Sequence, residues 1–122
     1  AASRVAASRT LTTPASVGSI PTDANQEDFV PMGMGAAVKT RRILANARRV
    51  IAAELLCGAQ ALDLLLPLKP GTGVRKLHRQ VRDTAAGGVA QLAEDRPPSP
   101  DLERLAALIA RGTLDPAPGL SC

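Results

Sequence analysis

The chain has 122 residues, of which 45% are hydrophobic and 21% charged, and a formal net charge of +4. One Phe, no Tyr and no Trp leave no aromatic platform for stacking bases, and the arginines are interleaved with Asp and Glu, so the basic balance does not point to nucleic acid. No apolar run is long enough to cross a bilayer without charges, and the two cysteines, Cys57 and Cys122, have neither metal-ligand spacing nor the number of a disulfide framework, so no metal and no membrane partner are expected. A reducing, cytoplasmic setting is the natural reading.

Residues 1–10 read as the end of a helix whose beginning lies further upstream. Residues 11–30 read as a loop, because Pro14, Gly18 and Pro21 with several hydroxyl residues break any period. A long helix follows over residues 31–66, with Pro31 in its first turn and Pro67, Pro70 and Gly71 stopping it. At ~1.5 Å per residue it makes a rod of roughly 48 Å. Ala37, Thr40, Leu44, Ala47, Ile51, Leu55, Gly58, Leu62 and Leu65 project as one charge-free stripe. Lys39, Arg41, Arg42, Arg48 and Arg49 lie opposite in the first half and read as a solvated or subunit-facing side. The second half is apolar nearly all round, the pattern of a helix buried on every side. The rest of the chain is too small to cover it, so partners or further polypeptide are expected.

A second helix is expected over residues 72–86, with Val74, Leu77, Val81 and Ala85 inward and Gly87-Gly88 as its stop. A third is expected over residues 99–112, with Ser99 as N-cap, Pro100 in the first turn and Asp101 favoured by the helix dipole. Leu102, Leu105, Ala106 and Ile109 form its inward face, Gly112 ends it, and residues 113–122 read as an irregular tail. The fold class is therefore all-α, a long central helix with shorter ones, and residues 1–122 are taken as one partial helical segment.

The one chemically loaded stretch is Asn25-Gln26-Glu27-Asp28, two amides and two carboxylates just before a helix N-terminus, where unpaired N–H groups and the dipole favour anions. By spacing alone these are capping and turn residues. Elsewhere, His78 sits among Arg75, Lys76, Arg79 and Arg82 and reads as a solvated surface residue. Cys57 reads as a small core residue, and Met32 and Met34 as packing residues near the helix start. Residues 69–76 are basic and glycine-containing but lack the order of a phosphate loop.

The order of motifs adds to this. Pro14-Ala15-Ser16-Val17, Ser19-Ile20-Pro21-Thr22, Ala24-Asn25-Gln26-Glu27-Asp28 and Met32-Gly33 resemble the histidine ammonia-lyase family. Residues 51–63 resemble its long central helix, and Glu94-Asp95-Arg96-Pro97 with Pro100-Asp101-Leu102-Glu103 its C-terminal signature. The resemblance runs from about residue 5 to 114. It implies the C-terminal part of an all-helical homotetramer that eliminates ammonia from an amino acid, turning histidine into urocanate or phenylalanine and tyrosine into aryl-acrylates. It implies an electrophile, methylideneimidazolone (MIO), formed from an internal Ala-Ser-Gly, and a catalytic Tyr in the N-terminal part. This chain has no Ala-Ser-Gly and no Tyr, so no catalytic residue is expected in it and the chain alone is expected to be inactive.

By the same resemblance Glu27 matches the position that contacts the substrate side chain, Glu in histidine-specific members and typically Gln in phenylalanine- and tyrosine-specific ones. A carboxylate can pair with an imidazole, whereas facing a phenyl ring it would be desolvated without compensation. Gln26 matches a neighbouring position that organises the pocket, and Asn25 and Phe29 are candidate pocket residues. Phe29 stands where many histidine ammonia-lyases have His, and Pro31, Asp23 and Gly18 also depart from their pattern. The alternatives are a phenylalanine or tyrosine ammonia-lyase or aminomutase segment, and a non-catalytic helical oligomerisation module.

Overall fold

The computed structural model describes residues 1–114; Cys122 and most of the expected tail lie outside the described residues. Four helices follow one another: α1 (Ala2–Leu11), α2 (Gly33–Leu64), α3 (Thr72–Arg82) and α4 (Ser99–Arg111), with short 3-10 turns at Ala15–Gly18 and Asp23–Asn25. Among the described residues there is no strand, and the architecture is all-α. The chain divides into two compact units, Ala1–Ala47 and Arg48–Cys122.

In the first unit no residue is fully buried. Polar links hold α1 to the start of α2: Arg4 donates to Asn46 Oδ1 at 3.4 Å, and Asn46 Nδ2 donates to Ser8 Oγ at 3.2 Å. Lys39 Nζ donates to the Thr13 carbonyl at 2.7 Å, fixing the exit of α1. Pro14 in extended conformation then turns the chain out of helix.

α2 starts at Gly33, two residues beyond the expected Pro31, because Met32 takes a left-handed φ of 48° that no continuous helix allows. Ala, Leu and Arg, strong helix formers, dominate its 32 residues. Past Leu64 the chain tightens into turns, and Pro67 and Pro70 prevent any resumption.

The second unit contains every buried side chain of the described residues. Ala52 and Ala59 of α2, Val81 of α3, Val89, and Leu105 and Leu108 of α4 form the core, with Leu55, Leu56, Leu77 and Ile109 packed around it. The buried face of α2 is therefore displaced from the expected stripe by about one residue, roughly 100°. Leu44, Ile51 and Leu65 of that stripe are exposed instead. Ala52 and Ala59 win because their small side chains leave room for Val81, Leu105 and Leu108 to approach the α2 backbone. Leu64 is also exposed, as are Leu66 and Leu68 just past the helix end, so the apolar second half of α2 is covered on one side only.

α3 ends at Arg82, short of the expected Ala86. Asp83 breaks it: its Oδ1 accepts the N–H groups of Ala85 and Ala86 at 3.1 and 3.2 Å, and its carbonyl accepts those of Ala86 and Gly88. The turn then returns to α3 through Val89 N–H to the Val81 carbonyl at 2.8 Å. Gly88 makes that return possible, since a Cβ there would lie 2.5 Å from the Val81 oxygen.

α4 is capped by Pro98, with Ser99 already inside the first turn and no side-chain cap bond, so the expected Ser99 cap is not formed. Asp101 is buried and bound by Arg96 at 2.7 Å, which makes it a structural anchor as well as a favourable charge at the helix start. Gly112 ends the helix at φ 66°, its N–H and that of Thr113 returning to the last turn's carbonyls.

Candidate functional site

The candidate loop between α1 and α2 folds back on itself. Ser19 Oγ accepts the Val30 N–H at 2.8 Å, which ties its two arms together. Further in, Thr22 and Glu27 face one another as an isolated antiparallel bridge: Thr22 N–H donates to the Glu27 carbonyl at 2.8 Å, and Glu27 N–H to the Thr22 carbonyl at 3.2 Å. Between them Asp23, Ala24 and Asn25 take left-handed φ values of 51°, 53° and 69°. Asp and Asn tolerate that region, but Ala24 has no polar group to offset the Cβ clash. The tip closes with Asn25 N–H on the Thr22 carbonyl and Gln26 N–H on the Asp23 carbonyl.

Asn25, Gln26 and Glu27 thus run consecutively from the tip of this six-residue hairpin to its bridged end, and all are exposed. Phe29 follows two positions later, 57% exposed. The side chain of Thr22 adds a link that sequence reasoning missed: its Oγ1 donates to Glu27 Oε2 at 3.2 Å. Ser19 and Thr22 end the Ser19-Ile20-Pro21-Thr22 motif, but that motif assigned neither a role in the site. The available signal was hydroxyl residues flanking a turn, a pattern too common to single them out.

A second polar cluster lies in residues 48–114. Asp63 Oδ1 is 2.7 Å from His78 Nε2, while Arg82 grips Asp63 Oδ2 through Nη2 at 2.6 Å and Nε at 3.0 Å. The side chains of Asp63 and Arg82 are 9% and 13% exposed, and that of His78 25%. His78 is therefore not the solvated residue expected, because its carboxylate partner sits fifteen positions away on α2. Arg82 also donates to the carbonyls of Val89 and Ala90 and to Gln60 Oε1. Gln60 completes the frame, exchanging hydrogen bonds with the Leu92 backbone at 3.0 and 3.2 Å. A carboxylate shared between a guanidinium and an imidazole, with no nucleophile beside it, joins α2, α3 and the residue 89–92 strap as a structural tie.

Other expectations also change. Cys57 is exposed on α2, and Met34 is exposed at its start, so neither packs within the described residues. Arg49 forks onto Glu103, Nε to Oε1 at 2.8 Å and Nη2 to Oε2 at 3.2 Å. The hydrogen bond to Glu103, and then its charge, raise the Arg49 pKa above the ordinary arginine value. Arg41 and Arg42 are exposed. Among the described residues no three of His, Cys, Asp and Glu gather as a metal site requires, and no helix is long and apolar enough to cross a membrane.

Known proteins resemble the chain over most of its length. The histidine ammonia-lyase of Symbiobacterium thermophilum is 47% identical over 114 residues, which is 93% of this chain and 22% of that protein. The histidine ammonia-lyase of Natranaerobius thermophilus matches equally well, at 47% over the same shares. The crystal structure of histidine ammonia-lyase from Trypanosoma cruzi superposes with a TM-score of 0.82 at 34% identity, covering 93% of this chain and 22% of that one. The chain thus spans about a fifth of the length of the curated relatives it matches. A profile described as aromatic amino acid lyase matches residues 1–83, and the chain belongs to that family.

Proposed function

We propose that these residues are the C-terminal segment of an ammonia-lyase that converts histidine to urocanate and ammonia, with Glu27 the carboxylate that receives the substrate's imidazole and Gln26 its neighbour in the pocket. The observation that carries this reading is the hairpin, which holds Glu27 by both its backbone and its side chain among relatives named histidine ammonia-lyases. A carboxylate can accept an imidazole N–H or pair with an imidazolium, and either interaction orients the amino acid for elimination.

The chain's own residues do not supply the electrophile: no Ala-Ser-Gly from which MIO could form and no Tyr are present. In this reading both come from the remainder of the lyase. The role of residues 1–114 is to bind and orient substrate and to build the helical scaffold. The exposed Leu44 and Ile51 of α2, with Leu65 just beyond its end, favour a homotetramer in which further helices cover that face. A free, exposed Cys57 suits the reducing cytoplasm.

Glu27→Gln in a complete lyase carrying these residues tests the assignment. Histidine turnover, measured as kcat/KM, should fall on the order of a hundredfold, from loss of a charge-assisted contact, while phenylalanine turnover falls less. Equal loss on both substrates would refute the selectivity. Phe29 favours a second reading, a phenylalanine or tyrosine lyase or aminomutase, since an apolar ring on the same arm suits an aryl side chain. A wild-type preference for phenylalanine over histidine would select it.

A further inference from the structure

The hairpin does more than expose Glu27. Its two backbone bonds hold Thr22 and Glu27 in register at 2.8 and 3.2 Å, so the Thr22 hydroxyl stands beside the Glu27 carboxylate. That hydroxyl donates to Oε2. A glutamate has three side-chain torsions to order, and on an exposed loop it would otherwise sample many rotamers. A hydroxyl that takes one carboxylate oxygen narrows that choice and leaves Oε1 as the oxygen toward an incoming N–H.

We infer that Thr22 is a positioning residue for substrate recognition, acting through Glu27: the Thr22 hydroxyl fixes the carboxylate so that Oε1 meets the imidazole of the substrate. The inference rests on the reading of Glu27 as the substrate-side carboxylate. Two features of the loop make the arrangement rigid. The left-handed run of Asp23, Ala24 and Asn25 fits a narrow set of backbone conformations, and the Ser19 hydroxyl closes the arms on Val30. The β-branched Thr also has a restricted χ1, so its hydroxyl is held in place more firmly than that of Ser would be.

The test uses a complete lyase that carries these residues, with histidine as substrate. Thr22→Val keeps the shape and removes the donor. It should lower kcat/KM about tenfold, with most of the loss in KM, because the binding carboxylate loses its orientation. Thr22→Ser should recover most of the activity. In the Glu27→Ala background, Thr22→Val should have no further effect, since its target is gone. A Thr22→Val loss that persists in the Glu27→Ala background, or that Thr22→Ser does not recover, would mark Thr22 as merely structural and overturn the inference. Full activity of Thr22→Val beside an impaired Glu27→Ala would overturn it while leaving the role of Glu27 standing. Near-wild-type activity of Glu27→Ala would remove the underlying reading of Glu27 itself.

Discussion

Residues 12–32 hold no fully buried side chain and keep their shape through main-chain and hydroxyl hydrogen bonds, with four non-glycine residues at positive φ. Residues 48–114 contain the entire buried core, a satisfied ion network, and positive φ only at Gly87 and Gly112. The loop spends backbone strain to present polar groups, and the helical region relieves strain with glycine and buries its apolar surface. Substitutions should therefore separate cleanly. Changes in the helical region should lower stability, and changes in the loop should lower turnover at little cost in stability.

The largest stability effect should come from Asp63. Asp63→Ala leaves Arg82 and His78 without their shared carboxylate at a buried position, and should cost about 3–5 kcal/mol. Denaturant unfolding of a complete lyase carrying the change reads this directly. A loss below about 1 kcal/mol would mean that solvent or another group replaces Asp63 easily, and the contrast between the two regions would blur.

Gly88→Ala should come next. Its Cβ would meet the Val81 and Asp83 carbonyl oxygens at 2.5 and 2.7 Å, both main-chain atoms that cannot swing aside. The return of Val89 onto α3 would have to open, at a cost of about 2–3 kcal/mol. The same glycine was expected to end α3, but its function is different: it permits a close backbone approach beyond the helix end. Glu27→Gln is the matching probe in the loop. It should cost turnover as described above yet shift unfolding by less than about 0.5 kcal/mol, since Glu27 is exposed and Gln keeps an oxygen for Thr22. A stability loss comparable to that of Asp63→Ala would break the division between the regions.

The legibility of the sequence follows the same division. Helices were visible because apolar periodicity and the Pro and Gly stops are local signals, and α2 between Pro31 and Pro67 is the clearest case. Which face of α2 packs was not visible, because the charge-free stripe and the alanine side differ by one residue and only the helices arriving from elsewhere decide between them. The partnership of His78 with Asp63 was hidden for the same reason: the charged neighbours of His78 in sequence are basic, and the acid comes from another helix. In the candidate site, ordered motifs singled out Asn25 to Glu27, but the Thr22 link depends on three left-handed residues that no composition rule demands of an alanine.

The smallest effect should come from Arg49, which is partly exposed. Its fork onto Glu103 has good geometry, but both groups meet water, with side-chain exposures of 34% and 54%. Arg49→Ala should cost about 0.5 kcal/mol, and less in high salt, where the charges are screened. Because Glu103 raises the Arg49 pKa, the arginine's contribution is fully present below the ordinary arginine value and is lost only as pH rises through the raised one. Its titration therefore adds no slope to stability between about pH 6 and 9, and the Arg49→Ala difference in unfolding free energy should stay level across that window while shrinking with added salt. A difference that grew to the size of the Asp63→Ala effect would show that the pair is shielded from solvent in the assembled protein, and would extend the buried region outward to Glu103.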